Sequence, residues 1–105
     1  MYPQNPQVWR KKQIKEYYDK CQKYCNLLWA DKESLSYNYG YWYKNTKNKE
    51  EANLNPYREI IKLLKPNPQE LILDVGCGIG GASLWLAERT KADYIGITLS
   101  SKQLK

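Results

Sequence analysis

Histidine is absent from this sequence, cysteine occurs only three times, and no apolar run exceeds a few residues. Without histidine, Cys21, Cys25 and Cys77 cannot complete an ordinary zinc site, and their odd number argues against a disulfide framework. The apolar runs fall far short of the ~18 residues that cross a bilayer, and the N-terminus lacks a secretory hydrophobic segment. We therefore expect a cytoplasmic protein without a metal centre.

The positive charge is concentrated in the first half of the chain. Residues 1–50 hold 10 Lys/Arg against 5 Asp/Glu, and residues 51–105 hold 7 against 6, which gives +5 and +1. Such a segment can attract lipid headgroups or RNA, but the solvated face of a basic helix explains it more simply. Nucleic acid is therefore not favoured as a partner, and peripheral contact with a membrane stays open.

The first half of the chain contains one predicted helix and one aromatic stretch. Residues 9–28 carry apolar and aromatic side chains at three-and-four spacing, which predicts an amphipathic helix. The aromatic stretch follows as Leu35-Ser-Tyr-Asn-Tyr-Gly-Tyr-Trp-Tyr43. Its central glycine indicates an irregular segment packed over another part of the protein.

A second helix is predicted to begin at Asn55-Pro56, after an exposed connection over residues 44–55. Pro66 and Pro68 should end it, since proline disfavours helical geometry in the preceding residue. We place a boundary beside this helix start. It separates an N-terminal helical and aromatic cap, residues 1–54, from a second unit, residues 55–105.

From residue 71 the pattern becomes that of an α/β protein. Leu71-Ile-Leu-Asp-Val75 predicts a short buried strand, and Gly76-Cys-Gly-Ile-Gly-Gly81 predicts a tight turn. A helix from Ala82 to Arg89 and a strand over Tyr94-Ile-Gly-Ile97 follow. These elements make a βαβ unit, with parallel strands and a right-handed crossover.

A glycine turn between a strand and a helix lets the backbone approach a ligand and exposes amides of the helix N-terminus to it. Gly76, Gly78 and Gly81 satisfy the dinucleotide pattern G-x-G-x-x-G. Gly76, Gly78 and Gly80 satisfy the G-x-G-x-G pattern of methyltransferases equally well. The spacing of the glycines alone leaves both readings open.

Acidic residues near the turn separate the two readings further. A dinucleotide site normally places an acid after the second strand to hold the ribose, but this chain has Thr98 and Ser100 there, and Asp93 precedes the strand. NAD is therefore disfavoured, while NADP stays open. Asp74, inside the first strand, needs hydrogen-bond donors because burying a charge is costly; it can contact a ligand, support the turn amides, or do both.

Three stretches of the sequence resemble a known family. Leu73-Asp-Val-Gly-Cys-Gly-Ile-Gly-Gly81 is similar to the first motif of class I S-adenosylmethionine-dependent methyltransferases. Gly96-Ile-Thr-Leu-Ser-Ser-Lys-Gln103, and Tyr37-Asn-Tyr-Gly-Tyr-Trp42 with Tyr17-Tyr-Asp19 before it, resemble the small-molecule branch of sterol, tocopherol and cyclopropane-fatty-acid enzymes. The resemblance covers about residues 14–105. The strand-two acid that holds ribose in many members is absent here, as is usual in this branch.

The resemblance implies the N-terminal part of a Rossmann-like α/β fold, with a helical cap and the first βαβ unit, and S-adenosyl-L-methionine as cofactor. It implies cofactor contacts from Tyr37, Asp74, Gly76, Cys77, Gly78, Gly80, Thr98, Leu99 and Gln103. Thr98 and Leu99 would bracket the adenosine. Cys77 is expected to be a small turn residue and not a nucleophile.

The aromatic stretch suits the cofactor because ring faces attract a sulfonium cation by ~0.5 to 2 kcal/mol. The rings that could do so belong to Tyr37, Tyr39, Tyr41 and Trp42. The alternative is an aromatic cap that packs on the βαβ unit without touching the methyl donor.

The implied activity is methyl transfer to a small-molecule or lipid-like acceptor. A complete fold of this class has a larger sheet than the two strands found here, so we expect a fragment or truncated product that is marginally stable or associates through sheet edges. We expect residues 100–105 to form the first turn of a further helix, with Ser100 as its N-cap. Acceptor contacts and any catalytic base are expected downstream, so no catalytic residue is assigned. A truncated, non-catalytic interaction module and an NAD(P)-binding domain are the alternatives, and the oligomeric state stays open.

Overall fold

The computed structural model describes residues 11–28 and 33–104. These residues form three helices and a two-stranded parallel sheet: α1 at Lys11–Leu28, α2 at Lys49–Leu64, β1 at Leu71–Val75, α3 at Gly81–Thr90 and β2 at Asp93–Ile97. The βαβ unit is confirmed, and its register pairs Leu71 with Asp93 and Val75 with Ile97. Residues 9 and 10 of the first predicted helix lie outside the described residues. Within the described part of the chain, no helix is long and apolar enough to span a membrane.

α1 packs against the rest of the protein through polar residues. Among the side chains of α1 that the structure describes, Gln22 is buried and Asp19 is half-buried. Of the predicted apolar stripe, Tyr17, Tyr18 and Tyr24 are exposed, whereas Ile14, Cys21 and Cys25 are half-buried. An amphipathic helix ordinarily packs through its apolar stripe. Its closest attachments are instead hydrogen bonds, which the hydrophobic periodicity does not reveal.

The predicted start of α2 at Asn55-Pro56 is wrong, because the helix begins six residues before Asn55, at Lys49. Asn48 is the N-cap: its side-chain oxygen accepts a hydrogen bond from the Glu51 amide at 2.8 Å. This is the capping signal of a short polar residue followed three positions later by Glu, and the proline at position 56 obscured it. The boundary drawn between residues 54 and 55 lies inside this helix, and the division into residues 1–54 and 55–105 stays a prediction.

The hydrophobic core lies between α2, α3 and one face of the sheet. Its buried members are Leu54 and Tyr57 of α2 and Trp85 and Leu86 of α3. Ile60, Ile61, Ala82 and Tyr94 pack around them. α2 ends at Leu64, directly before the left-handed Lys65 and Pro66, as the prolines predicted.

The opposite face of the sheet is apolar and exposed, so the prediction that β1 is buried is wrong for one of its faces. Parallel pairing places the exposed side chains of Leu71, Leu73, Val75, Ile95 and Ile97 on this face. We call these five residues the open sheet face. The side chains alternate because successive residues of a strand point to opposite faces, and only the face toward α2 and α3 is covered by described residues.

The segment after β2 also differs from its prediction. Residues 101–104 form a turn and not a helix, with the Gln103 amide donating to the Ser100 carbonyl at 3.2 Å. Ser100 is buried, and its hydroxyl donates to the carboxylate of Asp19 on α1. Its side chain therefore attaches α1 to this segment.

Candidate functional site

The glycine turn that follows β1 is open above its backbone. Gly76, Gly78 and Gly80 have φ angles of 78°, 58° and 86°, in the left-handed region that favours glycine. A Cβ added to any of them would meet no atom within 4 Å. Only a residue without a side chain keeps this space clear, so the turn can admit a ligand close to its backbone.

The turn is anchored on the end of β2. The amides of Gly76 and Cys77 both donate to the Ile97 carbonyl, at 2.8 and 3.0 Å, and the Gly80 amide donates to the Cys77 carbonyl at 2.9 Å. No carbonyl of the described backbone accepts from Gly78 or Ile79. The turn therefore has a fixed shape and amides left for a ligand.

Gly81 has a packing role, unlike the three glycines before it. A Cβ at Gly81 would lie 2.6 Å from the Leu35 carbonyl oxygen and closer still to that of Ser34. The G-x-G-x-G glycines thus border open space, whereas the last glycine of the dinucleotide pattern permits another part of the chain to cross α3.

Asp74 is held by the helix that follows the turn. Its Oδ2 accepts a hydrogen bond from the Ser83 hydroxyl at 2.7 Å, while the anchored turn amides donate to Ile97. The donor to this carboxylate is therefore a serine of α3, which the sequence analysis did not consider. Asp74 is thereby oriented at the edge of the space above the turn.

Cys77 lies against β2. A Cβ at Gly96 would be 2.7 Å from the Cys77 Sγ, so the thiol fills the space over that glycine. Burial, with a further contribution from the carboxylate of Asp74, raises the pKa of the Cys77 thiol. A raised pKa disfavours the nucleophilic thiolate at neutral pH, in line with a packing role for this residue.

Tyr37 is the aromatic residue of the stretch 35–43 that reaches the turn. Its hydroxyl accepts a hydrogen bond from Gln22 Nε2 on α1 at 2.7 Å, and burial raises the pKa of the phenol. Tyr41 and Trp42 are exposed, and neither lines the space above the turn. The structure therefore brings one of the four suggested rings to that space.

Three neighbouring cavities contain eight of the nine expected cofactor residues. The turn cavity, about 320 Å³, is lined by Leu35, Ser36, Tyr37, Asn38, Tyr57, Asp74, Gly76, Cys77, Gly78, Ile79, Gly81 and Ala82. The strand-end cavity, about 350 Å³, is lined by Val75, Gly76, Ile97, Thr98 and Leu99. The tyrosine cavity, about 300 Å³, is lined by Tyr17, Tyr18, Cys21, Gln22, Tyr24, Cys25, Tyr37, Tyr39 and Gln103.

Shared residues connect the three cavities. Gly76 borders both the strand-end and turn cavities, and Tyr37 borders both the turn and tyrosine cavities. Gln103 of the tyrosine cavity is buried, and its Oε1 accepts a hydrogen bond from the Thr98 hydroxyl of the strand-end cavity at 2.7 Å, so these two cavities are also neighbours. Gly80, the ninth residue, is the N-cap of α3 and lines none of the three.

The sequence reasoning missed Gln22, Ser83 and the pair of Asp19 with Ser100. Lys15, followed by Ser100, lowers the pKa of the Asp19 carboxyl through hydrogen bonds. Asp19 is part of the family resemblance and Ser100 was predicted as an N-cap, whereas Gln22 and Ser83 have no signal in the sequence. Their partners lie far away in the sequence, so only the tertiary structure identifies them.

Comparisons with known proteins agree with this geometry. The chain matches the family described as mycolic acid cyclopropane synthetase over residues 6–105. A probable fatty acid methyltransferase of Pseudomonas putida is 33% identical over 78 residues, 74% of this chain and 20% of that protein. The cyclopropane-fatty-acyl-phospholipid synthase of Escherichia coli strain K12 is 32% identical over 71 residues, 68% of this chain and 18% of that protein. The crystal structure of the cyclase SpnF superposes with a TM-score of 0.77 at 24% identity, covering 90% of this chain and 34% of that one.

Fold and turn together define the opening part of a Rossmann-like fold of the class I methyltransferases, with a helix and an aromatic segment before it. The family match extends over nearly the whole sequence. The chain belongs to the mycolic acid cyclopropane synthetase family. It spans about a fifth of the length of the two curated relatives described above.

Proposed function

We propose that this chain is the cofactor-binding portion of an S-adenosylmethionine-dependent methyltransferase that acts on a small-molecule or lipid-like acceptor. The observation that carries the proposal is the open, left-handed glycine turn of Gly76, Gly78 and Gly80 after β1. The family supports it, since the chain matches a probable fatty acid methyltransferase over 78 residues and a cyclopropane-fatty-acyl-phospholipid synthase over 71 residues.

The arrangement of the three cavities suggests how the cofactor is held. Unpaired turn amides would bind its polar atoms above Gly78, with Asp74 fixed at the edge by Ser83. Thr98 and Leu99 in the strand-end cavity would bracket the adenosine. The absence of an acid at the end of β2 fits this role, because Asp93 pairs with Leu71 at the opposite end of the sheet.

The ring of Tyr37 is our candidate for contact with the sulfonium. It borders the turn cavity, and electron-rich ring faces attract such a cation. When bound, the cofactor supplies an activated methyl group. The residues of this chain hold it in place, orient it and exclude water around it.

The tyrosine cavity is our candidate for the acceptor side. It shares Tyr37 with the turn cavity, so an acceptor there would lie beside the donor, and holding two reactants together supplies much of the acceleration of a transfer reaction. The exposed lysines of α1 could bring the protein to an anionic lipid surface. A cytoplasmic location belongs to the same proposal and rests on the sequence argument alone.

Calorimetric titration with S-adenosylhomocysteine tests the proposal, with NADP(H) titrated in parallel. We expect the nucleoside to bind and Gly78→Val to weaken its binding at least ~10-fold, because a left-handed non-glycine residue costs about 1–2 kcal/mol and its side chain enters the open space. The matched control is Ile79→Val, which introduces the same side chain in the same turn. Circular dichroism of each variant checks that the fold is retained.

Other outcomes would reject the proposal. Binding of NADP(H) alone would assign the turn to a dinucleotide. Binding of anions that falls steeply with salt and survives Gly78→Val would indicate a non-catalytic interaction module.

A further inference from the structure

Helix α2 contains a proline in its middle, and a carbonyl next to it is bonded from outside the helix. Pro56 has no N–H, so it cannot donate to the Ala52 carbonyl four residues earlier, as a helical residue normally would. Ala52 is fully buried. Its carbonyl instead accepts a hydrogen bond from the Tyr41 amide at 2.9 Å.

The other backbone group of Tyr41 is held by the residue before the proline. Asn55 Nδ2 donates to the Tyr41 carbonyl at 2.8 Å, and the Arg58 guanidinium donates to Asn55 Oδ1 at 2.9 Å. Asn55 is buried, and the bond from Arg58 fixes the direction of its amide. Both polar groups of one backbone unit are therefore bound at the proline site.

Gly40 allows the chain to approach Ala52 closely enough for the Tyr41 amide to reach its carbonyl. Its φ is +81°, and a Cβ there would lie 2.7 Å from both the carbonyl carbon and the Cβ of Ala52. The segment thus packs directly on the turn of α2 whose carbonyl the proline leaves available. A larger residue at position 40 would move the Tyr41 amide away from that carbonyl.

The aromatic segment, which is the aromatic stretch of residues 35–43, is also held next to its N-terminal end. The Tyr57 hydroxyl, on α2, donates to the Ser34 carbonyl at 3.0 Å, and Gly81 allows Ser34 and Leu35 to cross α3. Tyr37 lies between the two attachments and forms the wall shared by the turn and tyrosine cavities. Its position depends on both.

We infer that Pro56 is a positioning residue for the candidate site: by leaving the Ala52 carbonyl available for Tyr41, it fixes the aromatic segment and thereby the Tyr37 wall. The effect on ligand rests on the proposed function. The attachment itself does not, because it can be measured on the chain without ligand.

The test is Pro56→Ala in the full chain. The substitution supplies the missing N–H, which takes the Ala52 carbonyl back into the helix, so the Tyr41 amide should exchange with solvent about three- to tenfold faster, the factor that a net hydrogen bond is worth. The dissociation constant for S-adenosylhomocysteine should rise by a similar factor. The midpoint of thermal unfolding should not fall, because alanine is much the better residue in a helix interior.

A positioning residue should weaken binding of S-adenosylhomocysteine without lowering the thermal stability. A residue with a general structural role would lower both the affinity and the stability, or neither. Pro68→Ala, an exposed proline after α2, is the matched control and should change neither exchange at Tyr41 nor binding. Gly40→Ala adds a Cβ that clashes with Ala52 and should also accelerate exchange at Tyr41.

Unchanged exchange at Tyr41 in Pro56→Ala would overturn the inference, since the carbonyl would then serve both donors. If the unsubstituted chain binds no S-adenosylhomocysteine, the proposed function fails. The exchange measurement still decides whether Pro56 holds the segment.

Discussion

Gly96 and Cys77 show that a glycine can be required by its neighbour. Gly96 lies in β2, and a strand position ordinarily accommodates a side chain. Here the Cys77 thiol occupies the space above it. An added Cβ would lie 2.7 Å from Sγ and 2.8 Å from the Cys77 Cβ. Through this contact, Cys77 packs the glycine turn against β2. In contrast, Gly76 and Gly78 are required by their own backbone angles.

We predict that Gly96→Ala lowers the free energy of unfolding by about 1–3 kcal/mol, the usual cost of overpacking. Cys77→Gly, which removes both clashing atoms, should recover most of that loss in the double variant. Denaturant unfolding of the two single variants and the double variant forms the cycle that measures this coupling. Additive losses would contradict the contact.

At the scale of elements, hydrogen bonds of Asp19 and Gln22 attach α1 to other parts of the protein. Asp19 accepts from Ser100 beyond β2, and Gln22 donates to Tyr37 of the aromatic segment. Three segments distant in sequence therefore meet around the tyrosine cavity. An attachment of this kind depends on the charge of Asp19, and thus on pH.

We predict that α1 is released in acid. Because the pKa of Asp19 in the folded protein is lowered by its bonds to Lys15 and Ser100, the attachment is complete above the ordinary carboxyl pKa of about 4 and is lost as pH falls through the lower folded value. Protection factors of the α1 amides from hydrogen exchange at pH 6 and at pH 2 measure the change. Protection that is equal at both values would count against it.

Ser100→Ala should loosen α1 already at pH 6 and make its protection less dependent on pH. The neighbouring Ser101 is exposed, so Ser101→Ala is a matched control that should behave like the unsubstituted chain. Equal protection in both variants would show that the bond between Asp19 and Ser100 does not hold the helix.

At the scale of the whole molecule, the two sides of the sheet differ. One carries the core of α2 and α3, and the other is the open sheet face, whose Leu73 and Val75 are 58% and 73% exposed. A contiguous apolar surface of this kind favours association. The sheet also has only two strands among the described residues, so its edges are unpaired.

We predict that the chain self-associates as its concentration rises and that Leu73→Thr with Ile95→Thr reduces this association. The thermal midpoint should change little, since both side chains already contact solvent. Sedimentation velocity over a range of concentrations is the measurement. Leu27→Thr, at an exposed apolar position on α1, should leave association unchanged, and equal effects of both substitutions would argue against the open sheet face.

Much of the βαβ unit could be predicted because its signals are local. The observed ends of β1 agree with the prediction, and those of α3 and β2 agree to within one residue, since glycines, strand residues and helix formers each act on their own backbone. α2 was placed wrongly because Asn48 and Pro56 give competing local signals. The helix could extend past its proline only because a distant amide satisfies the Ala52 carbonyl.

For this protein, the sequence by itself determined the order of strand, glycine turn, helix and strand, and with it the family resemblance. Only the tertiary structure decided which glycines border open space, that Ser83 holds Asp74, and that Tyr37 alone of the suggested rings reaches the turn. The physical reason is the range of the interactions. Backbone angles and periodicity act between neighbours in the chain, whereas close packing and buried hydrogen bonds join residues whose separation in sequence carries no information about their contact.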